Sequence, residues 1–396
     1  DFRPLFNTKR GLFRVGVEII GNQVKYDDGC FLQASFQGGE VHLMIHADAS
    51  ESFDNQLNAI HEAFSGFMES ESEGARPVFM RYFLSDAANQ AHTVSAFLDA
   101  NQVCAVSVLE QPPLDGSKVA LWLYLQEGMD TIYQADDANS TIVEHNGYRH
   151  IWTMGLMDNH GDSHMQTQTL LTQYEQLLGK EHASIADNCI RTWFFVRDVD
   201  TQYQGLVVAR RQYFDYIGLT ADTHYISSTG IGGNPSDPKA LVQLGSYALT
   251  GFLPEQQQYL YAPTHLNRTS DYGVTFERGT LLHYGDRKHA YISGTASIDN
   301  QGNVVHVGDI YKQTLRMWEN VEQLLAEGNM SMKDCAQIIV YLRDTADYNM
   351  VSKMFSEHYP NIPTVITLAP VCRPTWLIEM ECIAIKECEN AQYANF

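Results

Sequence analysis

A chain of 396 residues is longer than a single hydrophobic core usually sustains, so two or three domains are expected. Its 48 acidic residues against 26 basic ones leave a net charge of -22, and no Lys/Arg cluster forms a phosphate-binding stripe, which excludes nucleic acid as an expected partner. The 7 cysteines are scattered without a C-x-x-C pair and no apolar run reaches membrane-spanning length, which argues against a disulfide framework, a zinc ribbon or a membrane protein and for reduced thiols in a cytoplasmic one.

The chain opens on DFRPLFNTKR, which holds no apolar signal core, although the missing Met leaves a removed leader or tag open. Short strands follow, RVGVEII, CFLQASF and VHLMIHA, separated by the turn-forming GNQ and QGGE. Ser50 is the expected N-cap of a helix that carries Leu57, Ile60, Phe64 and Phe67 at helical spacing. Strand VFMRYFL, Asp86, a second helix around Val94, Phe97 and Leu98, and strands VCAVSVL and KVALWLYLQ complete the order ββ(β)αβαββ.

The same order returns after the polar stretch Asp130 to Asn146. Strand HIWTMGL precedes a helix through Leu170, Leu171, Tyr174 and Leu178 that is expected to stop at Gly179. CIRTWFFV then leads to Asp198, a helix through Tyr203, Leu206, Val207 and Phe214 ending at Gly218, and strands YISS and ALVQLGSYAL. A third round runs from HAYISGTASI and the hairpin DNQGN to a helix capped by Asp309 and ended at Gly328. It closes with AQIIVYL, Asp344, a helix through Val351, Met354 and Phe355, VITLAP and a terminal strand. FLSD, FVRD and YLRD thus mark one strand-then-Asp signature three times. The interval from Asp198 to Asp344 exceeds that from Asp86 to Asp198, and the extra residues are placed between Phe252 and Asp286. The expected class is α+β, with units at 1-130, 144-252 and 253-396.

The terminal stretch Arg373 to Lys386, RPTWLIEMECIAIK, carries the chemistry. Alternation puts Trp376, Ile378, Met380, Cys382 and Ala384 on one face and Leu377, Glu379, Glu381, Ile383 and Ile385 on the other. Carboxylates two residues apart on a strand face lie roughly 7 Å apart. Burial and mutual repulsion at that distance keep one of them protonated near neutral pH, which is how a general acid is made. The alternative is a half-exposed sheet from which both Glu side chains reach solvent.

With ISGTASI, QTLRMWENVEQLL, VYLRDTADYNMVSKMF and LIEMECIAI in order, the third unit resembles the RidA/YjgF superfamily over its whole length. The resemblance implies homotrimer-like architecture, here three RidA-like units in one chain forming a pseudo-trimer, either monomeric or paired into a higher oligomer. From about residue 189 onward the chain is similar to the chorismatase branch, on RTW (Arg191 to Trp193), ARRQYF with Arg210, STGIGG (Ser228 to Gly233), SGTASI (Ser293 to Ile298), HVGD (His306 to Asp309) with Gln313 and Thr314, and CRPTWLIEME (Cys372 to Glu381). Chorismatases cleave the enolpyruvyl ether of chorismate and release pyruvate.

The resemblance implies Glu379 as general acid with Glu381 beside it, and a cleft between the second and third units that binds a small anionic carboxylate through Arg191, Arg210, Arg373, Gly230, Ser293, Gly294, Thr295 and Cys372. It implies no cofactor and no metal. The terminal strands of the first two units carry no interior carboxylate, so one catalytic site is expected, not three. Two departures stand against the pattern. The chorismatase segment YGPRSPTF reads SDYGVTFERG here, leaving Arg268 or Arg278 as substitutes for its arginine. The arginine of simple RidA imine deaminases, expected near Thr364 or Val365, is missing from IPTVITLAP. A RidA-type imine or enamine deaminase, and a non-catalytic protein that binds a small carboxylate, remain the rival readings. An endoribonuclease role sometimes attached to the superfamily sits badly with the charge.

Other signals are read more plainly. His160, Asp162 and His164 in DNHGDSH have metal-ligand spacing, but a polar hairpin loop is the expectation. STGIGG lacks the Lys and context of a P-loop and is read as a tight turn beside the substrate. SGTAS has no nucleophile elbow and is read as a strand lining the cleft. His306 is assigned to a loop leading into a helix.

Overall fold

The computed structural model describes residues 18–20, 23–25, 30–70 and 74–396. The first unit runs through β1 (Glu18–Ile20), β2 (Gln23–Lys25), β3 (Phe31–Gln37), β4 (Glu40–His46), α1 (Phe53–Ser70), β5 (Arg76–Leu84), α2 (Ala87–Asn101), β6 (Ala105–Glu110) and β7 (Val119–Gln126). The second holds β8 (Thr131–Gln134), β9 (Ser140–His145), β10 (Tyr148–Met157), α3 (Ser163–Lys180), the single turn α4 (Ile185–Asn188), β11 (Cys189–Val196), α5 (Val199–Tyr216), β12 (Ser227–Gly232), β13 (Asn234–Pro235) and β14 (Val242–Thr250). The third holds β15 (Gln257–Leu260), β16 (Gly279–His283), β17 (Arg287–Ala296), α6 (Ile310–Glu327), β18 (Cys335–Leu342), α7 (Tyr348–His358), β19 (Thr364–Leu368) and β20 (Ile378–Glu387).

Three sheets share one topology: β2-β3-β4-β7-β5-β6, β8-β9-β10-β14-β11-β12 and β15-β16-β17-β20-β18-β19, with β1 and β13 added at the edges of the first. In each, the unit's last strand slots between earlier ones and pairs antiparallel, while the two crossover-linked strands pair parallel. The α+β class and the three RidA-like units read from the sequence are therefore the architecture of the molecule.

Two local readings need correction. The polar stretch Asp130 to Asn146, left outside the units, contains the hairpin β8–β9; its outward-facing polar side chains mask an edge hairpin. At α1 it is Ser52, not Ser50, that caps, its Oγ accepting from the Asn55 N–H at 3.3 Å. The extra residues of the third unit lie chiefly in the excursion 261–278 between β15 and β16.

The strand-ending aspartates all stand where the chain turns from strand into helical structure, and two of the three cap it with their side chains. Asp86 accepts from Asn89 N, Asp344 from Ala346 N, and Asp198 takes a left-handed φ of 46° at the start of α5. On α6 the buried stripe Met317, Trp318, Val321, Leu324 and Leu325 docks the helix on its sheet.

The helices lie outside and the inner sheet faces meet in a shared core that includes Trp122, Trp152, Trp193, Tyr247 and Tyr291 from all three units. The outer parallel strand of each unit meets the next unit in cyclic order. Ala105 N donates to Thr141 Oγ1 at 2.7 Å, Ser228 N to Ser293 Oγ at 2.9 Å, and Thr364 N to Gln33 Oε1 at 3.0 Å. The ring of three units thus creates three inter-unit seams.

Candidate active site

At the seam between the second and third units lies a cavity of about 360 Å³. Helix α5 supplies Tyr203, Val207, Arg210 and Arg211; β12 supplies Ser228 and Gly230. The excursion before β16 supplies Gly273, Val274, Phe276 and Arg278, β17 supplies Gly294 and Ala296, and the approach to β20 supplies Cys372, Arg373, Trp376 and Glu379. Four guanidinium groups and one carboxyl line this wall, in a chain whose net charge is -22. Such local inversion of sign is what an anionic ligand requires.

Glu379 is the buried acid. Its carboxyl is held up to a pKa of about 8, first by burial and then by the negative charge of Glu381, against the pull of Arg278 and Arg191. Its position depends on a missing side chain: a Cβ on Gly294 would lie 2.1 Å from Glu379 Oε1. Gly294 sits at the bulge of β17 between Ile292 and Thr295, and its N–H donates to Thr229 Oγ1 at 2.9 Å. Gly230 plays a like part for Tyr203, whose ring carbon would be 2.9 Å from a Cβ there.

The arginines are oriented by fixed partners. Arg210, 1% exposed, donates from Nε to Thr275 Oγ1 at 3.1 Å and from Nη1 to Ser228 Oγ at 3.4 Å. Arg278 donates to Asn267 O at 3.2 Å and Asn267 Oδ1 at 3.1 Å, and its guanidinium lies 5.5 Å from the Phe276 ring. Arg373 stacks on Trp376 at 4.8 Å. Burial pushes the Cys372 thiol up to about 12, with the Glu379 charge adding to it, so Cys372 is no thiolate nucleophile at neutral pH.

Of the residues expected at the site, Glu379, Arg210, Arg373, Gly230, Gly294 and Cys372 line the cavity. Glu381, Arg191, Ser293 and Thr295 lie behind its wall. Glu381 accepts from Arg191 Nη2 at 2.9 Å and from Trp193 Nε1 at 2.7 Å, which turns the Arg191 guanidinium inward, away from a ligand. Ser293 Oγ donates to Glu277 O at 2.6 Å and receives Ser228 N, tying the two units together. Thr295 Oγ1 donates back to Ser293 O at 2.9 Å.

STGIGG is not a tight turn: Ser227–Gly232 is the extended strand β12, parallel to β11, and contributes wall, not an amide cradle. In DNHGDSH the side chains diverge. His160 meets Asp158, Asp162 caps α3 through Met165 N, and His164 meets Gln212. His306, at φ 59°, lies in the loop before the N-cap Asp309 and does not line the cavity.

The other two units place no acid in register with Glu379. Glu379 pairs across from Tyr341, and the corresponding pairs are Phe83 with Ala120 and Phe195 with Gln243. Gln243 is tied by its Nε2 to Ser107 Oγ at 2.7 Å. Gly155, on the matching bulge of β10, is so close to the first unit that a Cβ would lie 2.4 Å from Val106 O. Where the second and third units hold a cavity, the first and second are in backbone contact.

The profile of the endoribonuclease L-PSP family matches residues 284–386. A RutC family protein of Pyrococcus abyssi is 33% identical over 99 residues, which covers 24% of this chain and 78% of that protein. The chain belongs to the RidA/YjgF family. The 3-aminoacrylate deaminase RutC of Acinetobacter baylyi is 32% identical over 96 residues, again 24% of this chain and 76% of that protein. A chorismatase crystal structure matches at a TM-score of 0.59 with 17% identity over 78% of this chain and 92% of that chain, which shows a shared fold extending well beyond the third unit.

In this RidA-family chain, sequence reasoning missed the walls supplied by Tyr203, Phe276, Arg211 and Trp376. It named Arg278 only as a substitute beside Arg268. The structure separates these two: Arg278 lines the cavity, whereas Arg268 lies over the Tyr261 ring and 3.6 Å from Glu277. The signal for Arg278 was its place in the excursion that departs from the chorismatase pattern. No helix among the described residues is long and apolar enough to cross a membrane.

Proposed function

We propose that the cavity binds chorismate or a related cyclic carboxylate and that Glu379 protonates the terminal methylene of its enolpyruvyl ether. The observation that carries this reading is the buried Glu379 carboxyl, with a pKa of about 8, facing a cavity ringed by Arg210, Arg211, Arg278 and Arg373. A dicarboxylate needs cations at two ends, and guanidinium forks meet carboxylates in bidentate fashion. Trp376, Phe276 and Tyr203 offer faces to a ring.

The chemistry balances without a cofactor. The alkene's electron pair takes the proton of Glu379 at CH2, leaving an oxocarbenium ion. Water adds to that carbon and returns one proton to the Glu379 carboxylate; the bond from this carbon to the ring oxygen then breaks as the proton of the new hemiketal hydroxyl passes to the ring oxygen, and pyruvate leaves. A neutral acid near its working pH suits the first step, which typically gains about 10² to 10⁴ in rate from a positioned proton donor. The fold shared with a chorismatase supports this reading, and Arg278 provides a cation where the motif's own arginine is missing.

Protonation of an enamine at the same kind of carbon yields an iminium ion and then ammonia. The likeness to an aminoacrylate deaminase favours this second reading. The two separate by product. The purified chain is given chorismate and an enamine generated in place, with pyruvate read by lactate dehydrogenase and ammonia by glutamate dehydrogenase. Pyruvate from chorismate supports the first reading. Ammonia release alone moves the assignment to the second, and ligand-induced thermal stabilisation without either product leaves a binding protein.

A further inference from the structure

Arg81, on β5 of the first unit, is fully buried, and none of its three guanidinium nitrogens has a hydrogen-bond partner among the described residues. Its guanidinium lies among the rings of Trp122, Trp193 and Phe195, at 5.0, 5.1 and 4.8 Å from their centroids. Nη1 is 3.9 Å from Glu381 Oε1. A guanidinium keeps its charge in proteins, and leaving its donors unmet in the interior is costly. The fold does not demand that cost. At the same place before the strand-ending Asp, β11 carries Trp193 and β18 carries Ile339, and both positions pair with the equivalent of Glu381 in their sheets.

Among the described residues, Glu381 is faced only by donors at hydrogen-bonding or ion-pairing distance: Trp193 and Arg81 at Oε1, Arg191 at Oε2. A proton on Glu381 would meet a donor on either oxygen, whereas Glu379, next on the same strand face, has its carboxyl against Gly294 and the cavity. We propose that Arg81 is a positioning residue for the acid: by holding negative charge on Glu381, it keeps the proton of the carboxyl pair on Glu379. The first unit then completes the active site electrostatically as well as closing the ring. This rests on the reading of Glu379 as the acid of the cavity, but its test needs no turnover.

The groups that face the pair from the surrounding elements are Arg81 on β5, Arg191 on β11, Tyr341 on β18, Arg278 before β16, and Cys372 on the approach to β20. Burial and the Glu381 charge hold Tyr341 well above the usual tyrosine range, so it stays neutral through the range of the test. The only cation that R81M removes is the one nearest Glu381 after Arg191, and Met fills an arginine stem's volume without a charge.

The test is an infrared pH titration of the full chain that follows the carboxylic-acid C=O band. Wild type is expected to show a band lost near pH 8, and E379Q to lack it. Removing a cation favours the protonated form of the pair, so in R81M the midpoint should rise by about one pH unit. R81K should titrate close to wild type. An R81M midpoint equal to that of wild type overturns the positioning role and leaves Glu379 as the acid. A wild-type band that is absent, or that E379Q leaves in place, overturns both. If R81M and R81Q fail to fold while R81K folds, Arg81 is a support of the fold alone and the proposal falls.

Discussion

Glu379 rests directly on Gly294: a methyl group added to that glycine would lie 2.1 Å from Oε1 and 2.9 Å from the carboxyl carbon. The two residues belong to neighbouring strands of one sheet, and the bulge in β17 brings the glycine under the acid. Gly294→Ala is therefore expected to push the carboxyl off its seat. Turnover should fall by about 10² or more, as for loss of a positioned acid, while overpacking costs about 1 to 3 kcal/mol of stability. Steady-state kinetics beside a denaturant melt check both, and an unchanged rate would show that the acid does not depend on this contact.

The buried acid also makes stability depend on pH. Glu379 binds its proton more tightly when folded, with a pKa of about 8 against the 4.5 of an ordinary glutamate. Between those values the native state holds more protons than the unfolded chain, so this group's contribution is most favourable below about pH 4.5, is lost as pH rises towards 8, and then levels off. Glu379→Gln removes the penalty. At pH 8 the variant should be the more stable protein, by at most on the order of 4 kcal/mol. Urea melts of both proteins across that range test it, and a gap that does not widen with pH would contradict the assignment.

Glu381 behaves in the opposite way. Replacing it with Gln leaves Arg191 and Arg81 buried without their carboxylate, which should destabilise the chain by about 3 to 5 kcal/mol. The same change removes a negative charge that raises the Glu379 pKa, so the loss of the acid form should move to lower pH. Denaturant melts measure the first effect and the infrared titration the second.

Cys372 shares the cavity with Glu379 but its thiol, pushed up to about 12, carries almost no thiolate at neutral pH. Iodoacetamide at pH 7 is expected to leave it largely unmodified, as mass spectrometry of digested protein would show. Cys372→Ser should keep turnover within about tenfold of wild type, since no covalent step passes through sulfur. A variant without detectable turnover would return the thiol to the mechanism.

Much of this arrangement is legible in local sequence pattern. Alternation in β20 put both glutamates on one face, and the recurring strand-ending aspartates marked out the three units. Alternation cannot say what packs on that face, however. Glu379 opens on the cavity while Glu381, two residues on, is capped by Arg191 and Trp193 from the second unit, so the two carboxylates of one strand face meet different surroundings. The hairpin β8–β9 was hidden because an edge hairpin with polar outer positions resembles a connector. Arg278 owes its place to the path of the excursion 261–278, and Arg81 reaches Glu381 from another unit. Neither relation leaves a mark in local spacing.

The measurement that bears most directly on the central claim is pyruvate release from chorismate by wild type and Glu379→Gln, each also tested for stabilisation by chorismate in a thermal melt. The account predicts steady release by wild type, a loss of about 10² to 10⁴ in the variant, and similar ligand-induced stabilisation of both. Release at an undiminished rate by the variant would contradict the role given to Glu379.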